Sequence, residues 1–407
     1  MSISVHEIPQ QTAVEPLSLK QETSVSVYPV NKPSELADFV RLPNLLFRDQ
    51  SNWIAPLDVE VKRFVSKKHP FRQHGTAELF LARKDGQVVG RIMASDDPRY
   101  NEQHSSNVGC FGMFHCIDNQ SVANALLNRA AQWLKSRGRD QVIGPIDYST
   151  NYTAGLLVDG FDAPPRFLMN HNPPYYERLL TQWGLNKTSD LFAWWFDREN
   201  AIDDKWRSLV NRLAKRNNIV IRSIRMKQFE QEVKLLGELY NEAWEDNWGF
   251  VKMTPAEFRD FAHGLRKFAV PEMMLIAEVD GKPVGLAITM PDLNEAIAPL
   301  NGRLTWHGLP FGFARLLRRM KKIKTARLAA LGVLPAFRRR GVAEMLIQQT
   351  FDYGKDVLDY TGAELSWTLE GNDMINRSIE RVGGHCYKTY RIFGKSIDGP
   401  LPSATES

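Results

Sequence analysis

Apolar positions along the chain fall into runs whose period switches between that of a strand and that of a helix, most clearly in the C-terminal half. There the pattern predicts a strand over residues 218–224, a helix over 229–244, a hairpin over 272–290 and a short buried strand over 325–333. Val342, Met345, Leu346, Gln349 and Phe351 then open a helical pattern covering residues 343–358. A strand over 364–369, a helix over 374–382 and a last strand over 386–393 complete the series.

The N-terminal half repeats this order. Leu79 to Gly90 matches Met274 to Gly285 in pattern and in its central Asp-Gly, a strong hairpin signal between two apolar runs. Phe111-Gly112-Met113 aligns with Leu331-Gly332-Val333, and Val122-Ala123 falls on Val342-Ala343. His171-Asn172 through Gly184 pairs with Gly371-Asn372 through Gly384. The offsets of 195, 220 and 200 residues imply two copies of one domain with unequal insertions. We therefore expect an α/β (α+β) fold with a mixed sheet flanked by helices. Its parts are a polar tail at 1–27, a first copy at 28–195, a second copy at 196–396 and a polar tail at 397–407. Both tails are expected to be disordered on composition.

Between the strand ending at Val333 and the next helix stands Arg338-Arg339-Arg340-Gly341-Val342-Ala343. Backbone N–H groups at a helix start, with guanidinium groups beside them and a glycine that admits close approach, form an anion site without a metal. A basic turn that merely caps a surface helix is the plainer alternative. In the first copy the matching positions are Asp118-Asn119-Gln120-Ser121, which add a negative charge and offer no glycine. An anionic ligand is expected in the second copy only.

Charge sharpens this picture. The net charge is +5, yet no Asp or Glu occurs from Ala296 to Ala343, where eleven basic residues lie. Without them the chain is net negative, with 52 − 11 = 41 basic residues against 47 acidic ones. A field so focused favours a polyanionic small ligand or an anionic surface over nucleic acid. Within this stretch, from Leu304 to Lys324, Trp306, Leu309, Phe311, Phe313, Leu316, Leu317, Met320 and Ile323 alternate with six basic residues. That pattern fits a helix lying in a membrane surface, and equally a buried connecting helix with solvated lysines. No apolar run is long enough to span a bilayer, and no secretion signal opens the chain. Cys110, Cys116 and Cys386 fit neither a disulfide framework nor a metal site and are expected to be reduced core residues of a cytoplasmic protein.

The spacing Arg338-x-x-Gly341-x-Ala343 after a strand resembles the pyrophosphate loop of the GNAT N-acyltransferase superfamily, and the order of elements resembles its fold. The resemblance covers the second copy throughout and the first more loosely. It implies an acyl-CoA-dependent transfer to an amine. Leu331, Gly332 and Val333 would pair with the pantetheine arm where two parallel strands splay apart, and the amides from Arg339 to Ala343 would cradle the pyrophosphate. Asn372 and Asn376 would face the cofactor, although Asn372 could instead cap the helix after it. Acetyl-CoA or a longer acyl-CoA would be the co-substrate, with no metal.

Transfer to an amine needs a proton acceptor and often an acid for the departing thiolate. The strand over 325–333 has no carboxylate, so Glu370 is the nearest base. Where relatives often place an acidic tyrosine this chain has Ile379, which leaves Tyr387 and Tyr390 on the last strand as substitutes. The loop Trp244-Glu245-Asp246-Asn247-Trp248 sits where this superfamily selects its acceptor. The chain from 28 to 396 further resembles a bacterial family marked by Asn151-Tyr152, residues 155–161 and Asn172-Pro173-Pro174-Tyr175-Tyr176, some members of which are linked to N-acylation of sphingoid bases. That resemblance implies a long-chain amine acceptor, while the membrane reading of Leu304 to Lys324 implies peripheral contact with the inner face of the membrane. A non-catalytic acyl-CoA sensor or scaffold is the alternative, since the usual Glu and Tyr are missing.

Overall fold

The computed structural model describes residues 25–199, 202–305 and 309–403. Most of the expected N-terminal tail, the last four residues and Trp306 of the basic segment lie outside them. The first half contributes β1 (Ser26–Pro29), β2 (Thr76–Lys84), β3 (Gln87–Asp96), β4 (Val108–Cys116), β5 (Gln141–Gly144), β6 (Leu156–Asp159) and β7 (Asn186–Asp197). The second contributes β8 (Ile219–Ser223), β9 (Met274–Val279), β10 (Lys282–Pro291), β11 (Thr325–Val333), β12 (Gly362–Leu369) and β13 (His385–Ser396). β1 thus begins inside the expected tail, because Ser26 and Val27 pair with Arg83 and Ala82 of β2.

The two hairpins form for the same local reason. Asp85-Gly86 and Asp280-Gly281 all adopt positive φ, between 49° and 75°, as a two-residue turn matched to strand twist requires. Helices Gln120–Lys135 and Val342–Asp356 follow β4 and β11 at equivalent places. Tyr175–Gln182 and Asp373–Arg381 are likewise equivalent, so the repeat seen in sequence is a structural one. Helix Pro255–Leu265, which periodicity alone does not delimit, is started by a capping box in which Thr254 and Glu257 serve each other's backbone N–H groups.

All the strands join one sheet, in the order β1-β2-β3-β4-β5-β13-β7-β12-β11-β10-β9-β8, with β6 added along β13. Each half therefore gives its last strand to the other. β13 lies beside β5, with Phe393 opposite Gly144, and β7 lies beside β12, with Trp194 opposite Leu365. Among the described strands only β4–β5 and β11–β12 are parallel. Helices cover both faces of the central strands, which accordingly are buried almost throughout.

Two expectations about single residues change. Cys110 and Cys116 are buried and free, but Cys386 is exposed rather than part of the core. Arg327, counted above with the positive field around the turn, is 6% exposed and faces a carboxylate.

Candidate functional site

Parallel pairing of β11 with β12 runs from Thr325–Gly362 to Leu328–Leu365 and stops there. Beyond that point the strands separate, and exposure rises on both: Ala329, Ala330 and Leu331 on one side, Trp367, Thr368 and Leu369 on the other, are half-buried. A β-bulge in the pairing with β10, where Ala329 is passed over, bends β11 at this apex. Leu331, Gly332 and Val333 keep their partners on β10 but have none on β12. The wedge is thus an open strand edge inside the protein, able to pair with an amide-bearing arm.

The wedge ends at the basic turn. Gly341 sits before the Val342–Asp356 helix with φ +93°, and Arg339 also takes positive φ. Among the described residues the backbone N–H groups from Arg339 to Ala343 have no acceptor, so consecutive donors add to the positive end of the helix dipole. Gly341 is required for a reason other than ligand approach. A Cβ there would stand 2.9 Å from that of Leu213, on the helix packed behind it. Arg338 also differs from expectation: its guanidinium donates to the carbonyls of Val333 (3.3 Å) and Ala243 (3.0 Å), tying the end of β11 to helix Phe229–Ala243. Arg339 and Arg340 are exposed beside the free amides.

The corresponding wedge of the first half is filled by the chain itself. Met113 donates its N–H to Asp147 Oδ1 (2.8 Å), and a Cβ on Gly112 would stand 2.4 Å from that oxygen. Burial pushes the Asp147 carboxyl up to about 6. The helix after β4 is capped by Asn119, whose side chain accepts from the Val122 N–H, and Asp118 pairs with Arg178.

On the face of the sheet away from the Val342–Asp356 helix, the apex carries a buried polar cluster. Arg327 and Glu364 are register partners, with Nε and Oε1 3.4 Å apart, and Arg327 also donates to Ser366 Oγ (2.8 Å), to the Ser366 carbonyl (3.1 Å) and to the Phe167 carbonyl (3.0 Å). Ser366 and Tyr387 both donate to Glu364. Burial, and then the Glu364 carboxylate, push the Tyr387 phenol well up, so it stays protonated. Arg166, from the first half, donates to Asp292 (3.2 Å) and stacks over Trp195, while burial lifts Asp292 to about 6 against the pull of that guanidinium. Lys388, drawn down to about 8 by burial, donates to the carbonyls of Gly160 and Ala163 and so holds the loop that carries Arg166.

The first half also walls this face nearer the mouth. Tyr240 donates to Asn151 Oδ1 (2.9 Å), Asn151 donates to the Val251 carbonyl (2.7 Å), and Thr150 donates to the Gly249 carbonyl (2.8 Å). Of the four acceptor-loop residues expected from sequence, Trp244 is at the wedge. Its ring is tilted against Tyr240 (centroids 4.6 Å apart) and covers Gly332, where a Cβ would meet it at 2.2 Å. Glu245 is exposed and paired with Lys252, and Asp246 and Trp248 are exposed.

Three further expectations fail on geometry. Glu370 accepts from Lys187 Nζ (2.6 Å) and from the Asp190 N–H (3.0 Å), contacts that hold it on β7 and away from the wedge. Tyr390 is fully buried, with its hydroxyl on the Asn170 carbonyl (3.4 Å). Asn376 is consumed by Thr368 and by the Leu369 carbonyl. Asn372 precedes its helix without a side-chain cap, so the capping role is also not taken. The residues that sequence reasoning missed are Arg327, Glu364, Arg166, Asp292, Asn151 and Tyr240. Arg327 and Glu364 did leave a signal, as isolated opposite charges in two apolar strands. Among the described residues no group of three or more His, Cys, Asp or Glu is placed to hold a metal ion.

Comparison with known proteins gives a consistent result. Residues 233–377 match the acetyltransferase (GNAT) family model. The chain is 38% identical over 383 residues to the bacterial ceramide synthase of Caulobacter vibrioides, covering 92% of this chain and 98% of that protein. It is 37% identical over 372 residues to protein YghO of Escherichia coli, covering 89% and 93% respectively. Among solved structures, a tandem GNAT protein from the clavulanic acid biosynthesis pathway superposes with a TM-score of 0.55 at 12% identity, over 93% of this chain and all of that one. A GCN5-related N-acetyltransferase from Sphaerobacter thermophilus superposes with a TM-score of 0.52 at 15% identity, over 96% of this chain and all of that one. These two likenesses speak for the fold.

Proposed function

The chain belongs to the GNAT acetyltransferase family, and from that premise we propose that it transfers an acyl group from acyl-CoA to the amine of a long-chain, sphingoid-type acceptor. The observation that carries the reading is the open wedge between β11 and β12, ending in amides from Arg339 to Ala343 that have no acceptor among the described residues. A diphosphate suits those donors, and the two exposed guanidiniums beside them add charge-assisted bonds. The edge of β11 at Leu331, Gly332 and Val333 suits the amides of a pantetheine arm. The acceptor class is carried over from the ceramide synthase relative and is supported by the aromatic wall of Trp244, Tyr240 and Phe250.

The amine must reach the thioester neutral and lose a proton on attack. Tyr387, oriented by Glu364 at the apex, is the group we assign to that proton. Its oxygen can accept from the amine while its own proton passes to the carboxylate it already touches; as the C–N bond forms the C–S bond breaks, and CoA leaves as a thiolate that takes its proton from solvent. Arg327 and Ser366 hold Glu364 in place for this and are positioning residues.

The enzyme is further proposed to work as a peripheral protein on the anionic inner face of a membrane. No helix among the described residues is long and apolar enough to cross one. Helix Phe311–Met320 instead leaves Phe311, Phe313 and Leu317 exposed beside basic residues, and within residues 303–324 only Lys324 has a carboxylate partner among the described residues.

Thiol release from acetyl-CoA and palmitoyl-CoA, screened against sphinganine, polyamines and amino acids, tests the activity. Release that requires sphinganine is the expected result. Acyl-CoA binding without thiol release from any amine would instead establish a sensor. The double substitution Arg339→Glu, Arg340→Glu lies on exposed side chains and should raise the KM for acyl-CoA at least about tenfold.

A further inference from the structure

Resting on the acyl-CoA reading, we infer that the acyl chain of the thioester runs into an apolar hollow between the sheet and helix Val342–Asp356, on the face opposite the Tyr387–Glu364 pair. The hollow is walled by Ala326, Leu328, Leu365, Ile347, Phe351 and Gly354 and ends near Tyr360 and Met273. Leu328 and Leu365 are also the last paired residues of β11 and β12, so the hollow begins where the wedge closes. An arm laid from the basic turn back along Val333 to Ala329 would end beside Leu328, one of the hollow's walls.

The two faces of the sheet differ in chemistry at this apex. One presents Arg327, Ser366 and Glu364, bonded to one another, where a hydrocarbon chain would strip charged groups of their partners. The other presents mostly aliphatic and aromatic side chains, with the hydroxyls of Thr289 and Thr350 and the side chains of Arg198 and Lys355 as its polar members. The thioester carbonyl at the apex is then reached by the amine from the polar face, while the chain continues on the apolar one.

Gly354 is the second, independent sign. It lies in the last turn of the helix without positive φ, and a Cβ there would make only ordinary contacts, 3.5 Å to Tyr360 and 3.6 Å to Met273. Neither backbone conformation nor a clash demands glycine, and alanine would be the better helix former. What glycine preserves is open space. Ala326 and Ala363 keep their side of the hollow small in the same way.

The test compares the parent enzyme with Gly354→Leu, Gly354→Ala and Ala363→Leu, using acetyl-, octanoyl- and palmitoyl-CoA at saturating sphinganine, with melting curves to establish folding. A second arm holds octanoyl-CoA fixed and varies the chain length of the amine. Filling the hollow should lower kcat/KM for palmitoyl-CoA at least about tenfold and leave acetyl-CoA within about twofold, since a pocket discriminates by the methylenes it can seat. Gly354→Ala should show a smaller shift in the same direction and keeps the test decisive if a leucine variant fails to fold. An unchanged palmitoyl-to-acetyl ratio in folded variants, a parent confined to acetyl-CoA, or a shift confined to amine length each overturns the inference. A parent that releases no thiol from any acyl-CoA overturns the reading beneath it, which is a different result.

Discussion

Removing apolar side chains from the surface of helix Phe311–Met320 should loosen the protein from anionic membranes by an amount that exposure sets. Leu309, Phe311, Phe313 and Leu317 are 53%, 58%, 41% and 48% exposed, so each has about half of its surface free to enter lipid. Full burial of such a side chain is worth about 2 kcal/mol, which gives about 1 kcal/mol for each and about 4 kcal/mol for the set. Phe311→Ser with Leu317→Ser removes about half of this, or about 2 kcal/mol, a fall of about thirtyfold in partition coefficient. Sedimentation with phosphatidylcholine vesicles containing phosphatidylserine measures it directly. Arg318→Gln with Arg319→Gln should cost about 1 kcal/mol per charge near the surface, and that part should vanish in vesicles without phosphatidylserine or at high salt. The four apolar side chains are at least two-fifths exposed, so melting temperatures should fall by no more than a few degrees. Equal sedimentation of parent and double-serine protein would refute the argument, since the exposed apolar face would then touch no lipid.

Four other outcomes follow from single contacts. His74 spans the halves, with its ring nitrogens 3.2 Å from Asp97 and 3.1 Å from Glu257; burial opposes its charge, but the two carboxylates outweigh burial and push its pKa up to about 9. Because the folded value is raised, the bridge contributes fully below about pH 6.5 and is lost as pH rises through about 9, so His74→Gln should cost up to about 3 kcal/mol in urea unfolding at pH 6 and much less at pH 10. Glu364→Leu would leave the Arg327 guanidinium buried without its carboxylate and should destabilise by about 3–5 kcal/mol, a loss that calorimetry should read. Tyr387→Phe should lower kcat about a hundredfold with little change in KM for acyl-CoA, whereas Tyr390→Phe and Glu370→Gln should leave kcat within about threefold in the thiol assay. Any residue larger than glycine at 341 should lower the melting temperature, because positive φ and Leu213 both exclude a Cβ.

What could be read from sequence divides along the range of the interactions. The limits of β11 and the start of the next helix are legible almost to the residue, because Thr325–Val333 carries a short apolar run closed by Pro335 and Gly341, both local signals. The hairpins are legible for the same reason. Exchange of the last strands is not: the period of residues 386–393 says that a strand forms, and nothing local says that Phe393 will face Gly144 rather than a strand of its own half. Site residues follow the same division. The free amides belong to one turn and could be named, while Glu370 looked available only because its partner Lys187 lies far back in the chain. Arg338 failed likewise, since the carbonyls that hold it come from Val333 and from Ala243, a residue on another helix. The opposed charges of Arg327 and Glu364 were visible, and the parallel register that makes them partners was not.

The first half does not repeat the open wedge of the second among the described residues. Asp147 and the neighbouring backbone occupy the corresponding place, so the first half gives up the space where a second thioester would lie. The same excursion of chain, from Asp147 to Phe167, then supplies Asn151, Arg166 and the Phe167 carbonyl to the acceptor face of the second half. β7 stands between β12 and β13, so Tyr387 reaches Glu364 only across a strand that the first half provides. A separated second half would keep the basic turn and lose the relation between Tyr387 and Glu364. On the proposed reading the pair of halves is the catalytic unit: one would carry the diphosphate grip and the apex, and the other would set the proton-handling group and the wall against which an amine lies.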